Sequence, residues 1–511
     1  MASSVLSGAL GLVRTKYIAK IFGAGPQTDA YNAAFQLPDM LAYFLVGGVA
    51  SISLVTILNR YAHANDEEGG DRALSIVLNA MVVVLTAAIA IAEFAAPLYT
   101  RHLFPKFSAD EAALCTSLTR ILLPAQLFFF IGGVVGSKLL VRKIFLYQAL
   151  QPLVYNLGII LGAVFLSARL GIYSLAIGAI GGVVAGPAAL NAFGAYRNGL
   201  RYRPIFNLRH PAFLEWLQLT IPLMIGVSLV TADKWILAYF ASADSGGITR
   251  LTVAKTLFNA PLGMLGQAAG AASLPFFSAL FSQGRLADFA AAVNRAATRI
   301  LAVSLLAGAW MVALAYPLVD LFRGGVFSLK DAEATAQYFV IFSFSIALWT
   351  VQGIYARAFY AAGDTRTPAI AGWIVTLASI PVYRTLFAHM GLTGLAIASD
   401  IGILTQTVTL AVLLHMRGLV KAWDSVDNGE PDPPAHTRGL EWGELLRALI
   451  AAVGGFGGAA LCMRFLPVPH GHPGDAILLA AGSLAWLGFS WAILIATGST
   501  LPRQILRRGS P

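Results

Sequence analysis

FQLPDMLAYFLVGGVAS, residues 35–51, finds a weak echo in FNAPLGMLGQAAGAAS, residues 258–273. One offset brings Phe258 onto Phe35, Pro261 onto Pro38 and Gly270 onto Gly47. Around these stretches the chain is 57% hydrophobic and only 12% charged, where a soluble globular chain carries about 25% charge. Apolar runs of about 20 residues match the thickness of a bilayer core. Fourteen such runs are found, near 2–24, 33–59, 73–98, 114–139, 145–168, 171–196, 212–240, 249–281, 294–320, 333–360, 367–389, 392–416, 443–466 and 475–497. The echo joins the second run to the eighth. Six helices separate them, an even number, so the copies share one orientation and are related by an axis along the membrane normal.

The expected fold is an all-α integral membrane protein of about 14 transmembrane helices. Two six-helix lobes surround a central cavity, and two C-terminal helices follow. The predicted boundaries are 1–205 for the first lobe, 206–417 for the second, 418–442 for a cytoplasmic linker and 443–511 for the last pair and a basic tail. The linker, GLVKAWDSVDNGEPDPPAHTRGLEW, is polar, acidic and rich in proline, a composition that buries too little to pack. Prolines inside the second and eighth runs are candidate breaks.

Loop charge orients the chain. Loops after even-numbered helices carry Arg60, Arg72, Arg142, Lys143, Arg197, Arg201, Arg203 and Arg209, and the pattern continues to Arg503 and Arg507. Loops after odd-numbered helices hold fewer cations, chiefly Arg101, Lys106, Arg169, Arg323 and Lys330. Positive-inside then puts both termini in the cytoplasm. The net charge of +10 follows from these loops and from a basic interior rather than from nucleic-acid binding. The two cysteines, Cys115 and Cys462, lie in apolar runs and give no disulfide framework, and the eight histidines show no metal-binding spacing. The N-terminus lacks the charged region and cleavage site of a signal peptide.

LGLVRTKYIAKIFGAG, residues 10–25, places Arg14, Lys16 and Lys20 in an apolar helix. A cation at mid-membrane depth costs roughly 2.5–3.5 kcal/mol on an insertion scale, so such residues tend to face cavities or partners. Lys20 is expected to snorkel to the outer interface and Arg14 to face the cavity, with Lys16 open between the two. Asp29, Asp39, Asp233, Lys234, Lys255 and Asp400 interrupt other apolar runs, with Arg357 nearer the cytoplasmic end. A structural ion pair is the competing role for Asp233, Lys255 and Asp400. A cavity holding Arg14 and Lys255 would attract an anion, phosphate above all, because guanidinium binds two oxygens at once. Glycine clusters at 132–136, 178–186 and 454–460 have the small-xxx-small spacing of close helix packing.

LGLVRTKYIAKIFGAGPQTDAYNAAFQLPD resembles the opening signature of the MurJ (MviN) family of lipid II flippases. IPLMIGVSLVTADKWILAYF, APLGMLGQAAGAASLPFFSALFS and YARAFYAAGDTRTP resemble later blocks of that family in the same order, to about residue 416. The family belongs to the group that includes MATE antiporters and polysaccharide exporters. The resemblance implies a flippase, not an enzyme, that carries an undecaprenyl-pyrophosphate-linked disaccharide pentapeptide across the bacterial cytoplasmic membrane. It also implies a groove for the lipid tail at the last two helices, and membrane lipids and the cell-wall synthesis machinery as candidate partners.

By the same resemblance Arg14 matches a first-block arginine and Asp29 the acid of GAGxxTDA. The substrate-binding set is Arg14, Asp29, Lys234, Lys255 and Asn259. Asp233 matches an acid that some members use in a sodium site, so Asp233, Ser399 and Asp400 are the ion-coupling set, with sodium or the membrane potential as driving force and no other cofactor. The departures are Gly8, Ala42 and Thr256 where the family has arginines, Asn259 for a glutamate, and Ser379 and Tyr383 for an asparagine and an aspartate. Lys255 then partly replaces a lost cation. The rival readings are a transporter of another lipid-linked glycan, a MATE-like antiporter, and a transport-inactive paralogue serving as a membrane scaffold. A membrane glycosyltransferase is disfavoured, because no large extramembrane loop carries an acidic motif.

Overall fold

The computed structural model describes residues 2–43, 47–224, 229–420, 439–469 and 471–507. Helices joined by loops make up the described chain, with one isolated bridge between Gly324 and Phe327. This is an all-α, multi-pass membrane protein. Eight of its described helices are long and apolar enough to cross a bilayer, or nine if Leu329–Phe344 and Ile346–Ala361, bent by 43°, form one span.

Helix covers each of the fourteen predicted runs, but not always as one crossing. The second run is interrupted at Phe35, between Pro26–Ala34 and Gln36–Leu41, and Gly47–His63 follows beyond residues 44–46, which lie outside the described residues. Its echo lies in the unbroken helix Gly247–Ser282, which absorbs Pro261 and Pro275. Runs eleven and twelve form one helical stretch, Arg366–Met416, of 51 residues. A straight helix of that length would reach about 76 Å, more than twice a bilayer core of about 30 Å. The break is at Gly391, whose φ of 58° and ψ of −138° suit a residue without a Cβ. Most of the predicted linker, residues 421–438, lies outside the described residues.

Two compact units emerge. The first comprises residues 1–226, 241–249 and 324–327; the second comprises 227–240, 250–323 and 328–511. In the first, the helices Gly47–His63, Glu67–Leu103 and Ala125–Val141 meet around Leu54, Val77, Phe130 and Trp216. Close packing by glycine is clear where Leu146–Leu161 meets Tyr173–Val183. A Cβ on Gly178 would lie 2.6 Å from the Gly158 carbonyl oxygen, and one on Gly182 would lie 2.7 Å from that of Tyr155. The first unit also holds a buried ion pair, Lys138 Nζ to Asp71 Oδ1 at 2.6 Å, with Arg201 N–H donating to the other oxygen at 3.0 Å.

In the second unit, Leu286–Ala313 packs against Ile346–Ala361 and Trp442–Phe465. The last long helix, His472–Ala496, is fastened by two indoles. Trp310 Nε1 donates to Ser483 Oγ at 2.9 Å, and Trp486 Nε1 donates to the Leu306 carbonyl at 3.1 Å. Glu444, buried, accepts from Ser499 Oγ and from the amides of Thr500 and Leu501, which anchors the start of Leu501–Arg507.

Candidate functional site

The second unit brings an interior acid and an interior cation together. Asp233 sits in Leu229–Ala241, Lys255 in Gly247–Ser282, and Tyr383 and Ser399 on opposite sides of the Gly391 break. On a straight helix Tyr383 and Ser399 would stand about 24 Å apart. The break lets both reach the same pair of charges. Lys255 Nζ lies 3.0 Å from Asp233 Oδ2 and donates to Ser399 Oγ at 2.9 Å. Tyr383 donates its hydroxyl to Asp233 Oδ1 at 2.5 Å.

Aromatic rings close the shell. The ammonium lies 4.1 Å from the ring centre of Phe342, 4.8 Å from Trp349 and 5.4 Å from Phe258. Such distances give a cation–π attraction, strongest where water is excluded. The Asp233 side chain is 5% exposed and that of Lys255 15%. Asp400 is next in sequence to Ser399, within the electrostatic reach of Lys255, and its Oδ1 is sequestered without a hydrogen-bond partner. Both oxygens of Asp233 are thus engaged, one by a phenol and one by an ammonium. These residues do not fit a free sodium ion, because a tethered cation already sits against the carboxylate.

The first unit holds the other expected cation. Arg14, on Ala2–Phe22, is half-buried, and its Nε is sequestered without a hydrogen-bond partner among the described residues. Its charge is felt by the phenols of Tyr31 and Tyr155. Tyr155 also lines a cavity of about 470 Å³ with Phe35, Asp39, Ala42, Gln126 and Phe129 among its walls. Lys16 is half-buried and Lys20 is exposed. The Lys20 carbonyl accepts from Val326 N–H at 3.0 Å, where Gly325 has a φ of 58° and a Cβ would strike that same carbonyl.

Asp29 has a structural occupation. It is buried and accepts from Gly246 N–H at 2.6 Å, Thr249 N–H at 2.8 Å and Thr249 Oγ1 at 2.6 Å. These are groups at the start of Gly247–Ser282, where amides lack intrahelical partners and an anion is favoured. Asn32 Nδ2 adds a bond to Thr249 Oγ1 at 3.2 Å.

Of the expected set, Asp233, Lys255 and Ser399 come together, with Asp400 beside them. Lys234 is exposed, 5.9 Å from the ring centre of Trp235, and Asn259 is exposed. Sequence reasoning did not nominate Phe342 or Trp349 for this cluster, and it gave Tyr383 only as a departure from the family pattern, standing where an aspartate was expected. Phe342 and Trp349 are seven residues apart, a spacing that would put them on one face if the predicted run 333–360 were a single straight helix, and that was the available signal even though the chain bends between them. Asp320, His472 and Asp475 have donor atoms within 4.8 Å of one another. Arg323 already pairs with Asp320 there at 2.8 Å.

Known proteins give the arrangement a context. A family model described as lipid II flippase MurJ matches residues 18–427. A lipid II flippase MurJ of Burkholderia cenocepacia is 29% identical over 442 residues, 81% of this chain and 82% of that protein. A probable lipid II flippase MurJ of Vibrio cholerae is 26% identical over 433 residues, 82% of each chain. Among solved structures, lipid II flippase MurJ in an inward closed conformation superposes with a TM-score of 0.77 at 22% identity, covering 97% of this chain and 98% of that one. An inward-facing multidrug resistance MATE transporter gives 0.65 at 16% identity, over 81% of this chain and 95% of that one, so the fold is shared more widely than the sequence. With residues 18–427 matched by that family model, which takes in the opening signature from Ile18 onward and the later blocks, the chain belongs to the lipid II flippase MurJ family.

Proposed function

We propose that this chain flips lipid II, the undecaprenyl-pyrophosphate-linked peptidoglycan precursor, from the cytoplasmic to the outer leaflet of the bacterial cytoplasmic membrane by alternating access. Family membership and the names of the relatives support the substrate. Arg14 is the observation that carries the reading to this chain's own residues. A half-buried guanidinium whose Nε is sequestered and meets no acceptor among the described residues is costly in an apolar helix unless an anion is to meet it. Pyrophosphate is that anion, since its oxygens match the guanidinium fork. Lys255, held by Asp233, supports the second unit instead of facing the phosphate.

The cations of even-numbered loops support cytoplasmic termini. Apolar side chains such as Leu446, Val453, Leu461 and Leu484 are exposed on the last two long helices, which supports a path there for the lipid tail. With no free alkali-cation site at Asp233, the membrane potential acting on an anionic headgroup is the driving force in this reading.

Complementation tests it. A bacterium depleted of its own lipid II flippase is given this chain, and growth and outer-leaflet lipid II are followed. Rescue that disappears with Arg14→Ala supports the reading. A well-inserted wild-type chain that gives no rescue sinks it and points to another lipid-linked glycan.

A further inference from the structure

We propose that the pocket around Asp233 is a monovalent-cation site filled by the chain's own ammonium, that of Lys255, and that no inorganic cation binds there in the wild-type protein. The inference deepens the flippase reading by removing sodium from its cycle, but it is argued on the second unit alone.

The donor set suits an ammonium better than an alkali ion. Among the described residues, Lys255 Nζ meets two close oxygens, Asp233 Oδ2 at 3.0 Å and Ser399 Oγ at 2.9 Å. Aromatic rings stand beside them, with ring centres of Phe342 and Trp349 at 4.1 and 4.8 Å. A primary ammonium has three N–H donors, and its remaining charge is satisfied by ring faces. A small hard cation gathers oxygens instead, and two do not make its shell. Tyr383 occupies the other Asp233 oxygen at 2.5 Å and closes the approach from that side.

The tether changes the physics of the site. A diffusible ion pays translational entropy at every binding event and leaves when its concentration falls. Lys255 is held by the Gly247–Ser282 helix, so its local concentration is fixed by the fold and does not follow any gradient. Without it Asp233 would be a buried carboxylate with no counter-charge, and Asp400 close by would add to the deficit. The pocket therefore demands a cation, and the sequence supplies one at position 255. A plain structural ion pair would not make the further demand that a small soluble cation can take its place.

The test uses the purified full-length protein in detergent and its melting temperature at matched ionic strength in sodium, potassium, methylammonium and choline chlorides. The wild type is expected to melt at the same temperature in all four, and to bind no radioactive sodium. Lys255→Ala is expected to melt several degrees lower in choline and to regain much of that loss in methylammonium, which enters the vacated space, and less of it in sodium, which finds too few oxygens there. The double variant Lys255→Ala, Asp233→Asn should show no such recovery. Lys255→Met, which fills the space without a charge, should be indifferent to the salt.

Two results overturn the proposal. One is saturable sodium binding by the wild type that Asp233→Asn abolishes. The other is a folded Lys255→Ala protein that no small cation stabilises. Should Lys255→Ala fail to fold, sodium binding by the wild type decides: binding that depends on Asp233 overturns the proposal, and its absence upholds it. None of these measurements involves lipid II, so a failure of complementation and a failure of the cation test can be told apart.

Discussion

Thr249 gives Asp29 two hydrogen bonds, one from its amide at 2.8 Å and one from its hydroxyl at 2.6 Å, and so fixes the carboxylate to the start of a helix more than two hundred residues further along the chain. Hydrogen bonds to a charged group are worth about 1.5–3 kcal/mol each, and a buried one left unmade costs as much again. Asp29→Ala should therefore lower the melting temperature of the detergent-solubilised protein markedly. Asp29→Asn should lose part of this, because an amide oxygen still accepts from the backbone. An Asp29→Ala protein as stable as wild type but unable to rescue a depleted strain would return Asp29 to substrate binding.

Tyr383→Phe removes only an oxygen. Asp233 keeps Lys255 but loses a bond of 2.5 Å in a buried setting. The expected cost is about 1.5–3 kcal/mol, read as a fall in thermal stability. A change within measurement error would show that the phenol contributes nothing net.

Arg14→Ala is expected to abolish complementation with expression and membrane insertion intact. Arg14→Lys should restore it only in part, since an ammonium lacks the planar fork that grips two oxygens of a phosphate. Full activity of the alanine variant would take Arg14 out of the substrate path.

Glycine packing in the first unit gives a paired prediction. Gly182→Val places its Cβ against the Tyr155 backbone, 2.7 Å from the carbonyl oxygen and 3.0 Å from the Cα, which side-chain adjustment cannot relieve. A loss of about 1–3 kcal/mol or more is expected. At the adjacent Gly181 a Cβ would meet nothing within 4 Å, so Gly181→Ala should be close to neutral. Equal stability of the two variants would refute the close approach.

Asp364, in the turn before Arg366–Met416, supplies a pH test. Burial by itself raises its carboxyl, but the Thr367 hydroxyl at 2.6 Å, the Thr367 amide at 2.9 Å and the Arg417 charge outweigh that and hold it below the usual aspartate range. A depressed folded-state pKa means the stabilisation is fully present above the ordinary aspartate value and fades as pH falls through the lowered one. Asp364→Ala should cost about 1 kcal/mol at neutral pH, comparable to losing a helix cap. The gap between variant and wild type should close in strong acid, and a gap that widened there would contradict the assignment.

The architecture was legible in the sequence because bilayer thickness and hydropathy constrain helices so tightly. Helix lies over all the predicted runs, and the glycine clusters pack as their spacing implied. The joins were less visible. Nothing in SFSIALW shows that the chain bends by 43° between Leu329–Phe344 and Ile346–Ala361. Gly391 could be read as a boundary between two runs, but not as a device that brings Tyr383 and Ser399 together. At the site, the unusual charges were visible and their partners were not. Asp233 and Lys255 each stood out against apolar neighbours, whereas their pairing depends on two helices meeting at one height. The aromatic shell was hidden for the opposite reason, since Phe342 and Trp349 are ordinary residues in a membrane helix.

The two indole bonds from Trp310 and Trp486 give the last pair of helices a mechanical status. Ser483 and the Leu306 carbonyl act as rivets, which join the middle of His472–Ala496 to the C-terminal part of Leu286–Ala313. A hydrocarbon tail resting along that pair would thus travel as cargo on the frame of the second unit. Hauling the tail would need no separate motor, because the motion of the frame would already be the stroke.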